Sequence, residues 1–345
     1  MDQTILTIVV PCYNEEEVLP YTISELGALL NNLIMEGLIS HKSRILFVDD
    51  GSKDRTWSII YKEGLKNEQI RGLKLSRNVG HQNALLAGLF TAKDTSDCVI
   101  SIDADLQDDI SVIREFIEKF DEGFDIVYGV RKKRDKDSFF KRTTAETFYK
   151  LMRKMGVDLI YNHADFRLMS RRAVQELERF DEVNLFLRGI VPLIGFRSAS
   201  VYYNRKERLA GDTKYPLKKM LAFAFDGITS FSVTPIRFVL FIGCTSFLVS
   251  LLFGSYFFAL KFMGNTETGW TSLITSIWLI GGLQLIAIGL VGEYIGKIYK
   301  EAKRRPKFSV DIDFYNLPLP EHLKHPNRGE GEPFSRDFRE LSESN

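Results

Sequence analysis

The sequence predicts an α/β fold: a mostly parallel, doubly wound sheet of Rossmann-like type, followed by a two-helix transmembrane hairpin. Three observations predict it. Short β-branched runs alternate with helical patterns at roughly 25-residue spacing over the first part of the chain. Carboxylates gather where those runs end, which is where an open sheet keeps its ligand site. Beyond about residue 235, two long uncharged stretches replace this pattern.

The first predicted strand is Ile5–Val10, stopped by Pro11. Cys12 to Glu17 reads as a turn into a helix, with Val18, Leu19, Ile23, Leu26, Leu30 and Leu33 at helical spacing. The second strand, Ile45–Val48, ends in Asp49-Asp50-Gly51-Ser52, and a helix starts near Asp54. The third, Leu73–Leu75, leads through Ser76-Arg77-Asn78-Val79-Gly80 into a helix over Asn83–Ala92. The fourth, Val99–Ile102, ends in Asp103-Ala104-Asp105-Leu106-Gln107-Asp108. A helix over Asp109–Glu122 and a fifth strand, Ile126–Gly129, follow.

Side chains two apart on extended backbone share a side, so Asp103 and Asp105 can address one object. Oxygen ligands suit a hard divalent cation, Mg²⁺ or Mn²⁺, that also holds substrate phosphates, and Gln107 continues the spacing. A loop cluster that caps the next helix is the competing reading. No Gly-x-Gly-x-x-Gly and no P-loop motif occurs, so phosphate handling falls to a metal and basic side chains. With 46 basic and 45 acidic residues the net charge is +1, and nothing global points to nucleic acid. Cys12, Cys98 and Cys244 form no disulfide framework, which fits a reducing compartment. Met1 leads straight into a strand-like run, without the basic flank of a cleavable signal peptide.

Pro11-Cys12-Tyr13-Asn14-Glu15, Val48-Asp49-Asp50-Gly51-Ser52, Asn78-x-Gly80 and Asp103-Ala104-Asp105-Leu106-Gln107-Asp108 together resemble the family 2 glycosyltransferases of GT-A fold. Within that family they are most similar to the polyprenyl-phosphate sugar transferases, kin of dolichyl-phosphate mannose synthase and bactoprenol glucosyltransferase. The resemblance spans about residues 4 to 300. One departure is Asp109, where relatives often carry proline; Asp109 can cap the helix instead. The resemblance implies that Pro11, Tyr13, Asn14, Glu15, Asp49, Asp103 and Ala104 line a nucleotide-sugar site. It also implies that Asp105 and Gln107 hold the cation, Asp105 thereby serving catalysis. Helix capping and turn formation are the bland alternatives for Glu15 and Asp49.

Arg131-Lys132-Lys133-Arg134, with Lys141 and Arg142 beyond, is either a solvated loop or a grip on a lipid phosphate, for which Arg offers bidentate donors. By resemblance Arg131 and Arg142 take that role, joined by Arg208 and Lys214 of the segment Arg208-x-x-Gly211-x-Thr213-Lys214-Tyr215. Ala164-Asp165-Phe166-Arg167-Leu168 resembles the segment whose Asp faces the acceptor. Asp165 is therefore the candidate catalytic carboxylate, acting as base or only orienting, and a simple pair with Arg167 is the alternative. His81 and His163 read as structural or solvent-facing.

Phe238–Leu260 and Thr271–Gly292 are each uncharged and long enough to span a bilayer. The expected organisation is a catalytic domain over 1–215, an interfacial amphipathic helix over 216–236, the two spans within 237–293, and a tail over 294–345 that is irregular from about 308. Basic residues flank the outside of the pair, and Lys261 alone lies in the connector, so the catalytic domain and tail are expected on the cytoplasmic side of a plasma (inner) membrane. Gly281-Gly282 would permit close packing of a homo-oligomer.

The resemblance thus implies transfer of a sugar, most readily from UDP-glucose or UDP-GlcNAc, to polyprenyl (undecaprenyl) phosphate, and direct in-line displacement would invert the anomeric carbon. The lipid-phosphosugar product would feed a flippase and a downstream glycosyltransferase. GDP-mannose as donor and a catalytically silent membrane scaffold are the alternatives. A processive polysaccharide synthase is disfavoured, because Trp57, Trp270 and Trp278 none of them follow an Arg.

Overall fold

The computed structural model describes residues 3–132, 163–182, 187–204, 234–262 and 269–316. The chain divides into two compact units: one made of residues 1–142, 159–213 and 306–345, the other of 143–158 and 214–305.

The first unit is built on an eight-stranded sheet: β1 (Leu6–Cys12), β2 (Arg44–Asp49), β3 (Ile70–Leu75), β4 (Cys98–Ser101), β5 (Ile126–Arg131), β6 (His163–Ser170), β7 (Ser198–Tyr203) and β8 (Val310–Asp313). The spatial order is β7-β5-β6-β4-β1-β2-β3-β8. β3, β2, β1 and β4 run parallel, as crossover helices require: α1 (Leu19–Met35), α2 (Thr56–Lys66) and α3 (His81–Ala92) connect them. After β4, a short 3₁₀ turn and α4 (Ile113–Asp121) lead to β5. The expected mostly parallel sheet is present, with two antiparallel insertions. β6 is antiparallel to both β4 and β5, and β8 is antiparallel to β3.

β1 and β2 are buried along nearly their whole length, and Leu6, Ile8, Val10, Ile45 and Phe47 pack with Leu19, Leu26 and Leu30 of α1. Pro11 does not stop β1. It lies within the strand opposite Val48 of β2, beyond Val9, the last residue of β1 in register with β4. No N–H is needed on that side, so proline fits there. Asp109 does cap: its carboxylate accepts the backbone N–H of Ser111 at 3.2 Å.

The tail corrects the sequence reading. Residues after 308 were expected to be irregular, yet Val310–Asp313 forms an edge strand on β3. The Phe314 ring is buried against Tyr61 and Arg71, and the Tyr315 hydroxyl bonds the hydroxyls of Thr7 (3.0 Å) and Thr95 (2.7 Å). The apolar and aromatic residues among the charges, Val310, Ile312, Phe314 and Tyr315, supply the strand and its anchor.

α5 (Arg171–Glu178) follows β6, and α6 (Leu187–Leu193) precedes β7. The second unit contains α7 (Thr234–Phe262) and α8 (Trp270–Ala302). Among the described residues one stretch, Leu279–Ala302, is long and apolar enough to cross a membrane, and Thr234–Thr245 is a shorter apolar stretch.

Candidate active site

The parallel strands deliver their polar residues to one edge. Beyond β1, the Asn14 N–H donates to Ser52 Oγ (3.0 Å) and the Glu15 N–H to Thr56 Oγ1 (2.9 Å), while Asn14 Oδ1 accepts the Lys53 N–H (2.9 Å). Asn14 takes a left-handed φ of 53°, a conformation open to a short polar residue. The loops after β1 and β2 are therefore clasped together, leaving Tyr13 exposed beside them. Pro11 is buried in β1, and Ala104 is buried with its carbonyl accepting from Thr22 Oγ1 (2.6 Å).

Asp49 and Asp50 divide their roles. Asp50 grips the loop after β3, accepting the N–H groups of Val79 (2.7 Å) and Gly80 (3.0 Å). Asp49 is fully buried; its Oδ1 accepts the Ser52 N–H, and its Oδ2 has no hydrogen-bond partner among the described residues. A buried carboxylate oxygen without a donor is costly, and burial pushes the Asp49 carboxyl up despite the opposing Ser52 bonds.

Asp103 lies beyond β4. Its side chain is hemmed in by neighbouring protein yet keeps 43% of its surface open. That enclosure raises its carboxyl; His81 opposes the rise, and Asp165, Asp108 and Asp105 add to it. His81 Nε2 stands 3.5 Å from Asp103 Oδ1. His81 is exposed, as the solvent-facing reading had it, and the structure adds its approach to Asp103 from the first turn of α3.

Asp105 Oδ1 accepts the Gln107 N–H at 3.3 Å, and the Gln107 side chain is buried. Among the described residues no group of three or more His, Cys, Asp or Glu could hold a metal by itself. Mg²⁺ or Mn²⁺ characteristically takes one or two carboxylates plus substrate phosphates and waters, so the oxygen donors here fit a cation shared with a ligand.

β6 supplies the other side. Because it runs antiparallel to β4, its start lies beside the end of β4: Arg167 is in register with Ser101, and Ser101 Oγ donates to the Asp165 carbonyl. Asp165 and Arg167 are two apart and share a face, and Arg167 Nη2 donates to Asp165 Oδ1 at 2.6 Å. From α6, Arg188 Nη2 reaches Asp165 Oδ2 at 3.2 Å. Burial alone would raise the Asp165 carboxyl, but Arg188, Arg167 and His81 outweigh it and hold it well below the usual carboxylate range. The pairing alternative for Asp165 is thus realised, with a second arginine that the sequence reading missed. Its signal was a lone cation in the apolar run Leu185–Leu193.

Arg131 is engaged by Asp108 through Nε (3.0 Å) and Nη2 (2.8 and 3.2 Å). Burial works against its charge, but Asp108 reverses that and raises its proton affinity. Arg142, Arg208 and Lys214 lie outside the described residues.

The glycosyl transferase family 2 model matches residues 7–178. The chain is 63% identical over 317 residues to the uncharacterized glycosyltransferase YkoT of Bacillus subtilis, covering 92% of this chain and 94% of that one. It is 42% identical to the prophage bactoprenol glucosyl transferase homolog of Escherichia coli, covering 88% and 98%. It is also 42% identical to the bactoprenol glucosyl transferase of Shigella phage SfV, covering 88% and 97%. With the parallel sheet, its carboxylate-bearing edge and relatives matched over nearly their full length, the chain belongs to glycosyl transferase family 2.

Proposed function

We propose that this glycosyltransferase is a membrane-bound, inverting hexosyltransferase that moves a sugar from a UDP-sugar, glucose or N-acetylglucosamine, to polyprenyl phosphate. The observation that carries the reading is the juxtaposition of Asp103 and Asp105, open at the sheet edge, with an Asp165 clamped by two guanidinium groups. The bactoprenol glucosyl transferases among the relatives support the lipid acceptor and glucose. The unpartnered Asp49 Oδ2 supports uracil, whose imide N–H is the donor it lacks.

In this reading Tyr13, Asn14, Glu15, Asp49 and Asp103 hold the nucleotide sugar, and Arg131, Arg142, Arg208 and Lys214 serve the acceptor phosphate. A divalent cation on Asp105 and Gln107 would supply charge neutralisation at the departing diphosphate. A phosphate oxygen of the acceptor attacks the anomeric carbon, a new C–O bond forms, and the bond to the UDP oxygen breaks on the opposite face. A UDP-α-sugar then yields a β-linked lipid phosphosugar. The attacking oxygen is already anionic at neutral pH, so no proton need be removed. Asp165, held ionised by its arginines, orients rather than deprotonates.

The membrane arrangement proposed is a hairpin of two spans, about 238–260 and 271–292, with the catalytic unit and C-terminus cytoplasmic at the plasma membrane. That places the reaction at headgroup level and calls for a flippase and a further transferase to use the product.

The test uses membranes containing the protein, short-chain polyprenyl phosphate, Mg²⁺ or Mn²⁺, and a panel of radiolabelled nucleotide sugars. Label from one UDP-sugar should enter organic-extractable lipid and be lost with chelator and with Asp105→Ala. No lipid label from any donor, with the protein shown folded, would overturn the reading. Label from GDP-mannose alone would overturn the UDP assignment, and a retained anomeric configuration would overturn inversion.

A further inference from the structure

Arg188 has no role in the site as assembled from the sequence, yet its side chain lies against Asp165. It is carried on α6, whose first residue is fixed from the opposite side of the site: Gln82 Oε1, one residue after His81 in α3, accepts the Leu187 N–H at 3.0 Å. The rest of α6 is anchored by buried Leu187, Ile190 and Val191. Arg188 Nη2 then meets Asp165 Oδ2 at 3.2 Å, while Nε lies 3.4 Å from Oδ1. On the other flank Arg167, 2% exposed, donates to Oδ1 at 2.6 Å. Both carboxylate oxygens are thereby occupied from two elements, β6 and α6, and the carboxylate plane is fixed. Of the two arginines, Arg167 is buried and structural in its burial, whereas Arg188 keeps 35% of its side-chain surface open.

We propose that Arg188 is a positioning residue for sugar transfer: it acts through Asp165, locking that carboxylate in one orientation beside Asp103 and His81, with Gln82 setting the helix that delivers it. The inference rests on the transferase reading above. A carboxylate pinned on one side only would swing about its Cβ–Cγ bond, and a displacement of about 1 Å at a positioning group can lower turnover about 100-fold.

The experiment is a double-mutant cycle on the full-length protein, with the UDP-sugar that labels lipid and short-chain polyprenyl phosphate as probes. Arg188→Gln removes the charge and leaves Asp165 paired with Arg167, so folding is retained. It should lower kcat about 100-fold while changing the KM of donor and acceptor little. Arg188→Lys should restore part of the lost kcat. In an Asp165→Asn background, Arg188→Gln should change kcat by no more than about twofold, the margin within which uncoupled effects are judged. Where Asp165→Asn does not accumulate folded, Asp165→Ser, which also removes the charged carboxylate, completes the cycle. Losses that multiply across the cycle would overturn the proposal in favour of a direct contact between Arg188 and substrate. A raised acceptor KM at unchanged kcat would overturn it in favour of phosphate binding, and a fall in melting temperature matching the loss would overturn it in favour of a structural role. A wild-type protein that labels no lipid defeats the transferase reading itself and this inference with it; a wild type that transfers normally with uncoupled variants defeats the inference alone.

Discussion

Replacing Phe314 by alanine should destabilise the first unit although the residue lies far along the chain from the acidic motifs after β2 and β4. Its ring is 1% exposed, with its centroid 5.3 Å from that of Tyr61, and the Arg71 guanidinium stacks 5.5 Å from it. On its α2 side the space exists because residue 64 is glycine; a Cβ there would stand 2.4 Å from Phe314 Cε1. The site cannot collapse readily, since it is walled by helix backbone and a second aromatic ring. The loss should therefore fall in the range for buried Phe→Ala, about 3–5 kcal/mol. β8 is held to β3 by a short ladder extended by the Ser76 N–H to the Ser309 carbonyl (3.0 Å) and the Phe314 N–H to the Gly72 carbonyl (2.9 Å). Freeing Phe314 also loosens this strand and uncovers the edge of β3.

For a unit of this size each kcal/mol moves the melting temperature by about 2–4 °C, so a fall of about 6–20 °C is expected. The assay is thermal melting of the detergent-solubilised full chain by circular dichroism, with Val310→Ala as control. Val310 is 43% exposed in the same strand, so its replacement should shift melting little. A Phe314→Ala shift below about 2 °C, less than 1 kcal/mol by the same scale, would refute the view that the segment after the last long helix is part of the catalytic fold.

Three further outcomes are expected. Asp105→Asn should lower lipid labelling at least about 100-fold, several kcal/mol of charge stabilisation, without moving the melting temperature; unchanged labelling would refute its cation role. Gly51→Ala should destabilise by about 1–3 kcal/mol. Gly51 has a φ of +65°, and a Cβ there would lie 2.6 Å from the backbone of Arg77 and Asn78, forcing apart the loops that Asp50 joins; the melting temperature reads this directly. Asp165 is held below its unfolded value, so the stability it contributes is fully present above about pH 3.9 and is lost only as pH falls below that. The melting-temperature gap between wild type and Asp165→Asn, which strands the buried Arg167 guanidinium, should stay constant from pH 7 to about 4.5. A gap that closes between pH 7 and 5 would show that Asp165 gains a proton there and can serve as a base.

The parallel half of the sheet was legible in the sequence because its signals are local. A β-branched run ending in carboxylates identifies its own strand, and Asp49, Asp103 and Asp105 need no partner elsewhere to be noticed. Most of what was missed is non-local. β8 pairs with a strand that precedes it by more than two hundred residues, and in the sequence its four residues look like part of a charged, proline-rich tail. The approach of the exposed His81 to Asp103 was not legible because it depends on Gly80, which starts α3 where its first turn meets Asp103. Arg131 was legible as a cation at the end of β5, but its partner Asp108 comes from the acidic motif after β4. Pro11 was misread for a subtler reason: proline stops a strand only where an N–H is needed, and that depends on which neighbour has already ended.

The direction of β6 explains the site's division of labour. β2 and β4 bring carboxylates to one edge, and an edge lined only by Asp49, Asp103 and Asp105 would repel a diphosphate unless a cation came between them. A fifth parallel strand would have placed its own C-terminal end there. β6 instead presents its start, so Asp165 and Arg167 arrive from a segment unconnected to the acidic loops, and Arg188 follows across α5. One carboxylate between two guanidinium groups leaves that flank net positive, opposite in sign to the Asp103–Asp105 flank. The two guanidinium groups hold this carboxylate below the usual carboxylate range, and the phosphate nucleophile of the proposed reaction asks for no base. What the proposed reaction asks of Asp165 is a fixed position, and contacts from β6 and α6 hold its carboxylate.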